Sequence, residues 1–197
     1  MNVLVGCEYS AIVRDAFIAR GHNAFSCDLL PCDKGPSRHY HGDVRLALQR
    51  RKWDLFIVHP ECTHLCASGS RWWPEKRADG RQQSAIDFFI EMMEADVEMI
   101  GAENPVGILS SVYRAPDQYI QPWQFGHPET KKTGLWLKNL PLLRPTLDVS
   151  DVMMTLPKRE RENVSTTCLS PKIGGRSAVA RMLGLPKLWR NSGGRYE

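Results

Sequence analysis

Short apolar runs alternate with amphipathic stretches over the first hundred residues. Residues 3–5 (Val-Leu-Val) predict a first strand, apolar on both faces and ending at Gly6. Over residues 11–20, Ile12, Ala16 and Ala19 recur with Val13 and Phe17 at helical spacing. Ser10 is placed to cap that helix and Gly21 to close it. Residues 23–27 predict a second strand that ends at Asp28, and residues 29–41, with Pro31, Gly35 and Pro36, read as loop. Asp43 precedes a short helix over residues 44–51, and residues 54–58 form the next apolar run. Residues 64–81 read as a long loop, because Gly69, Gly80 and the Trp72-Trp73-Pro74 cluster interrupt any period. Residues 82–95 carry Ile86, Phe89, Ile90 and Met93 on one helical stripe, and a strand over residues 98–102 closes at Glu103. Strands alternating with helices imply parallel βαβ units with right-handed crossovers. The expected fold is therefore α/β, a mostly parallel sheet with helices on both faces. The later half is less regular: residues 136–140 predict a strand, residues 141–172 are loop-rich, and residues 177–185 form a short helix after Gly174-Gly175.

Composition narrows the class. With 197 residues, 42% hydrophobic and 24% charged, the chain suits one globular domain with a sizeable core. No apolar run approaches a membrane span, and the Met-Asn-Val-Leu-Val-Gly start lacks the basic region and cleavage site of a signal peptide. Six scattered cysteines do not make a disulfide scaffold in a chain this size, so thiols in a cytoplasm are expected. The net charge of +4 is mild, but Arg50-Arg51-Lys52, Lys131-Lys132 and Lys158-Arg159-Glu160-Arg161 are local basic clusters suited to phosphate contacts or to solvated surface.

The chemistry-bearing residues fall at strand ends. Cys62 follows the run from Asp54 through His59, Pro60 and Glu61, and Glu103-Asn104-Pro105 follows the next apolar run. Ligands of an open α/β sheet sit outside the carboxyl ends of its strands, so a thiol and a carboxylate would share one crevice. Together they can attack an electron-poor ring and protonate it. The bland alternative for Cys62 is a small packed residue. Gly6-Cys7-Glu8-Tyr9-Ser10 after the first strand lets backbone approach a ligand, with a helix N-terminus behind it. Asp28 sits where nucleoside-binding sheets place an acid for ribose hydroxyls, and Asp43 is a candidate for an adenine amino group. The absence of G-x-G-x-x-G argues against a dinucleotide and for an adenosine-bearing ligand without a pyrophosphate. The spacing Cys62-x-His64-x-Cys66 suggests a metal, but structural zinc needs a second matching pair and none is present, so no metal is expected. His22, His59 and His127 read as packed or solvated, and Trp72-Trp73 as a base-stacking pair or a loop cover.

In motif order and spacing, roughly residues 1–145 resemble the DNA cytosine-5 methyltransferases, especially the short versions carried by bacteriophages and prophages. Val5-Gly6-Cys7 matches the family's first motif, Asp28 its ribose acid and Asp43 its adenine-contacting acid. Pro60-Glu61-Cys62 matches the Pro-Pro-Cys nucleophile loop, and Glu103-Asn104 the Glu-Asn pair. The stretch Phe125-Gly126-His127-Pro128-Glu129-Thr130-Lys131-Lys132 is similar to a later Tyr-Gly-x-Pro-Gln motif with its basic residues. The strings from Cys62 through Ser68 to Gly69 and from Glu103 to Gly107 look like the phage subgroup. The departures are Glu61 for the second proline, Glu129 for the glutamine, lysines for arginines, and a faint echo of the C-terminal helix at residues 176–180.

The resemblance implies a Rossmann-like, S-adenosylmethionine-dependent fold, with a catalytic core over residues 1–145. Residues 146–197 would form a reduced recognition segment and a C-terminal helix packing on the core. It implies S-adenosylmethionine held by Gly6, Cys7, Glu8, Asp28, Asp43 and Pro60. Cys62 would attack carbon 6 of cytosine, Glu103 would assist at ring nitrogen 3, and Asn104 would hold the loop. Lys131, Lys132 and Ser68 would meet the substrate, a cytosine in DNA that is flipped or unpaired, because a base inside a duplex cannot reach such a pocket. The implied setting is the cytoplasm of a bacterial host or phage-infected cell, with room for a partner subunit or self-association. Two other readings stand beside it: a related enzyme on free cytosine nucleotides or transferring another carbon group, and a non-catalytic DNA-binding homologue.

Overall fold

The computed structural model describes residues 1–162, and the expected helix over residues 177–185 lies outside them. Strand β1 (Asn2–Gly6) leads into helix α1 (Ile12–Ile18), then β2 (Asn23–Asp28), β3 (His39–His41) and α2 (Val44–Leu48). After β4 (Leu55–Val58) come a 3₁₀ segment (Ala67–Trp72), α3 (Trp73–Ala78), α4 (Arg81–Met93) and β5 (Met99–Pro105). The chain continues through α5 (Leu109–Val112), β6 (Gln118–Ile120), β7 (Thr133–Lys138), α6 (Ser150–Thr155) and α7 (Lys158–Arg161). Among the described residues the sheet order is β3-β2-β1-β4-β5-β7-β6. All pairings are parallel except those of β7, which runs antiparallel to both β5 and β6. This is a Rossmann-like, mostly parallel α/β sheet with a reversed strand, β7, inserted between β5 and β6, and the expected fold class is the one observed. No helix among the described residues is long and apolar enough to cross a membrane.

The two faces of the sheet bury separate cores, as the both-sided apolar strands require. One packs α2, α4 and α5 (Val44, Ala47, Ile86, Phe89, Met92, Leu109) against Leu4, Phe56, Ile100 and Trp136. The other packs α1 (Val13, Phe17) against Val3, Val5, Leu55 and Ile57. Phe89 meets Trp136 edge-on at 5.0 Å, and each ring's full burial is worth about 1.5–3 kcal/mol.

Several local expectations change. The cap of α1 is shared: the Ser10 hydroxyl accepts from the Ile12 N–H at 3.4 Å, while the Glu8 carboxylate accepts from the N–H groups of Val13 (2.6 Å) and Arg14 (3.2 Å), and Ala11 starts the helix at φ 60°. A two-oxygen acceptor serves two orphan donors where a hydroxyl serves one. The expected loop over residues 64–81 contains the 3₁₀ segment and α3, because Pro74 falls in the first turn, where its missing N–H costs nothing. Strand β3 lies within the expected loop over residues 29–41; three residues paired to β2 are too few to carry a periodic signal. Strand β5 does not stop before Glu103 but runs on to Pro105, since β7 supplies partners as far as Thr133. The stretch expected to be loop-rich holds α6 and α7.

Candidate active site

The order of the sheet reverses between β1 and β4, and the residues following those strands form one crevice with the end of β5. The parallel register pairs Leu55 with Met99 and Val58 with Ala102. Continued one and two steps, the same offset puts His59 beside Glu103 and Pro60 beside Asn104. Both contacts exist: His59 Nδ1 lies 3.4 Å from Glu103 Oε2, and Asn104 Nδ2 donates to the Pro60 carbonyl at 3.0 Å. The side chains of His59 and Glu103 are each 8% exposed. Three atoms of this group, His59 Nε2, Glu103 Oε1 and Asn104 Oδ1, are buried with no hydrogen-bond partner among the described residues. Unsatisfied buried polar atoms are rare in folded proteins, and here three converge on one crevice.

Burial pushes the Glu103 carboxyl upward, but the His59 bond and the charge of Lys131 prevail and hold it below the usual glutamate range. Glu103 is therefore ionised at neutral pH. Lys131 is brought to the site, its backbone N–H held by the Gln121 side chain at 2.9 Å. Lys132 is turned away, its ammonium resting over the Tyr119 ring at 4.4 Å.

Cys62 opens a tight loop, its carbonyl accepting from the N–H groups of Leu65 (2.9 Å) and Cys66 (3.0 Å). Glu61, in the position of the family's second proline, accepts from the Thr63 hydroxyl at 2.6 Å. Ser68, exposed, lies 3.2 Å from Cys66 Sγ. Three connections hold the loop. Ala67 donates to Val106 and Ile108 to Leu65, each at 2.9 Å, across a bridge between Cys66 and Gly107. Gln82 Nε2 donates to the His64 carbonyl at 3.0 Å. Lys76 Nζ donates to the Thr63 carbonyl at 2.6 Å. A Cβ at Gly107 would fall on the Leu65 carbonyl oxygen and 2.8 Å from Cys66 Cα, so only glycine permits this approach.

The other end of the crevice is acidic. Burial, then the negative charges of Asp28, Cys27, Asp43 and Glu61, pushes the Cys7 thiol up to about 12. Cys7 adopts φ 57°. Burial raises the Asp28 carboxyl above its usual range, opposed by the Leu30 N–H at 2.9 Å and by His39. Asp43 caps α2 through the Arg45 N–H at 2.8 Å and pairs with the Arg45 guanidinium at 3.1 Å. Glu8 faces α1, as described. Gly6 is demanded by the core rather than by a ligand, since a Cβ there would lie 2.8 Å from Phe56 and Val44 side-chain atoms. None of the five described cysteines is in a disulfide, and no group of three or more metal-ligating side chains occurs among the described residues.

Sequence reasoning read His59 as packed or solvated and gave Lys76, Gln82 and Gly107 no role of their own. The signal for His59 was its place at the end of an apolar strand, one step before Pro60. For Gly107 it was an isolated glycine just past a strand, a mark of close backbone approach. Lys76 and Gln82 gave no signal, because their partners are loop carbonyls brought near only by the fold.

No family model and no curated protein matches this chain. Among solved structures it is similar to a protein described as a DNA modification methyltransferase encoded within an Escherichia coli prophage. That match has 16% identity and a TM-score of 0.45, covering 80% of this chain and 56% of the other. It is also similar to an rRNA methylase from Escherichia coli, with 12% identity and a TM-score of 0.41, covering 70% of this chain and 56% of the other. The chain thus spans little more than half the length of either.

Proposed function

We propose that this protein transfers a methyl group from S-adenosylmethionine to carbon 5 of cytosine in DNA, with Cys62 as nucleophile. The observation that supports it most is the register across β4 and β5, which sets the Cys62 loop against Glu103 and Asn104 at the switch point of the sheet. The acidic end of the crevice fits the cofactor: Asp28 and Asp43 suit hydroxyl and amino donors, and the surrounding carboxylates suit a net positive ligand. Exposed Leu29, next to Asp28, offers an apolar face for its adenine. Bound there, S-adenosylmethionine supplies an electrophilic methyl group on a sulfonium.

The residues of this chain do the rest. The Cys62 thiolate adds to carbon 6, which breaks the ring's conjugation and makes carbon 5 electron-rich. Carbon 5 takes the methyl group and leaves the bonding pair on sulfur, now a neutral thioether; loss of the carbon 5 proton to water then expels the thiolate and restores the ring. Glu103, ionised while the crevice is empty of substrate, first accepts from the cytosine amino group. To offset charge at ring nitrogen 3 it must gain a proton as the base enters, and His59 Nδ1, 3.4 Å from its Oε2, is the group placed beside it. A positioned acid of this kind contributes roughly 10²–10⁴-fold. Asn104 keeps the Pro60 carbonyl, and so the start of the Cys62 loop, in place. Lys131 sits where it can meet the base carbonyl or a phosphate. The base reaches the crevice only when flipped or unpaired.

The test is to incubate the protein with methyl-labelled S-adenosylmethionine and mixed DNA, then digest to nucleosides. Label in 5-methyldeoxycytidine supports the reading, and label in another nucleoside or in none opposes it. Parallel incubation with deoxycytidine nucleotides separates a DNA enzyme from one acting on free nucleotides.

A further inference from the structure

Lys76 has a cost that its visible role does not explain. It lies in α3, and the whole residue is only 8% exposed. Its ammonium donates to the Thr63 carbonyl at 2.6 Å, one residue past Cys62. A Cβ on Gly69 would lie 3.6 Å from Nζ, so the cation sits in the bowl of the loop from Cys62 to Gly69. No carboxylate among the described residues forms an ion pair with it, whereas Arg45, Arg81 and Arg114 each have one at the surface. Burying an ammonium without a counter-charge is unfavourable. A neutral donor would pin a carbonyl equally well, and the next carbonyl along, that of His64, is pinned in just that way by the Gln82 amide. The charge at Lys76 is thus surplus to holding the loop.

We infer that Lys76 is a positioning residue for Cys62: its ammonium stabilises the thiolate form of the nucleophile while its N–H holds the loop that presents it. An ammonium has three donors and the Thr63 carbonyl takes one, so the cation keeps donors and its charge one residue from Cys62, the setting that favours a thiolate. Other charged or titratable groups face the loop. Glu61 and His64 belong to it, His59 and Glu103 approach from the ends of β4 and β5, and Asp79, which feels His64, follows α3. Glu61 and Glu103 disfavour a second negative charge, so a nearby cation is what permits one. This inference rests on Cys62 being the nucleophile.

The test reads the thiol directly and needs no substrate. Wild type, Lys76→Gln, Lys76→Met and Lys76→Arg are pulse-alkylated with iodoacetamide from pH 5.5 to 9.5, and each cysteine is quantified by peptide mass spectrometry. Circular dichroism reports folding. In wild type, Cys62 should react faster at pH 7 than Cys32, with its profile displaced to lower pH. Lys76→Gln keeps a donor but removes the charge; it should slow Cys62 about tenfold at pH 7 by moving the profile up by about one unit, leaving Cys32 unchanged. Lys76→Arg should restore most of the rate. Should Lys76→Met fail to fold, the Gln and Arg pair still decides the question. A shifted wild-type profile that Lys76→Gln leaves in place overturns the role of Lys76 alone. A wild-type Cys62 no more reactive than Cys32 overturns the nucleophile reading beneath it. Faster labelling of both Cys62 and Cys66 in Lys76→Gln, with the midpoint unmoved, would show a purely structural bolt and also overturn the inference.

Discussion

Replacing Gly107 with alanine should loosen the Cys62 loop and lower stability by several kcal/mol. Gly107 does not hold a left-handed backbone conformation, so the penalty is steric. The added Cβ would fall on the Leu65 carbonyl oxygen and lie 2.8 Å from both Leu65 C and Cys66 Cα. All three are backbone atoms that cannot swing aside, so the two segments must part. Parting them stretches the hydrogen bonds from Ala67 to Val106 and from Ile108 to Leu65, both 2.9 Å in the native loop. Two such bonds contribute about 0.5–1.5 kcal/mol each, and a forced backbone shift costs about 1–3 kcal/mol, for a total of about 2–6 kcal/mol. For a chain of this size about 4 kcal/mol corresponds to roughly 8–16 °C in Tm. Thermal melts followed by circular dichroism measure it, with Gly69→Ala as control. At Gly69 the new Cβ meets Lys76 Nζ at 3.6 Å, an ordinary contact, and a change within about 2 °C is expected. If Gly107→Ala melts as wild type does, the loop is not clamped and the reasoning fails.

Other outcomes follow from the same geometry. His59→Leu removes the bond that holds Glu103 ionised in its buried site, so it should cost about 1–3 kcal/mol at pH 7. Because the folded Glu103 carboxyl lies below its usual range, its contribution is present above that range and lost as pH falls through the folded value. Denaturant melts should therefore show wild type and His59→Leu converging in acid; a constant difference down to low pH would sink this account. Cys7 and Cys27 are both pushed up to about 12, chiefly by burial, from an ordinary value of 9.0. Their contribution is full below about pH 9 and lost as pH rises toward 12, so Cys7→Ser should flatten the alkaline fall in stability seen in melts at pH 8 and pH 11. DNA affinity should fall with salt, log K against log[salt] having a negative slope that Lys131→Gln makes shallower by about one; titrations by fluorescence anisotropy at several salt concentrations check this.

What the sequence made legible was what local pattern encodes. The doubly apolar runs of β1 and β4 and the stripe of α4 (Ile86, Phe89, Met93) appear in the structure nearly where periodicity put them. Pairing across the sheet was not legible. That β5 runs through Glu103 to Pro105 depends on β7, which arrives some thirty residues later, as the register of Pro105 with Thr133 shows. The contacts of His59 with Glu103 and of Asn104 with Pro60 both span 44 positions and follow from a parallel register that no local window contains. That Glu8 joins Ser10 in capping α1 was hidden for another reason: a carboxylate so far before the helix meets its first turn only where the backbone folds back, as it does through the left-handed Ala11. Polar groups that hold loop carbonyls, Lys76 and Gln82, have no periodicity at all, so only the folded chain displays them.

The most direct test of the central claim uses DNA carrying 5-fluorocytosine together with S-adenosylmethionine. Fluorine at carbon 5 cannot leave as a proton does, so a reaction through a thiol adduct stops with the protein attached. The account predicts a denaturation-resistant complex that requires S-adenosylmethionine, maps to Cys62 by peptide mass spectrometry, and is lost in Cys62→Ser. Methylation of ordinary DNA by the same preparation with no trapped complex, or a complex on another residue, would contradict it.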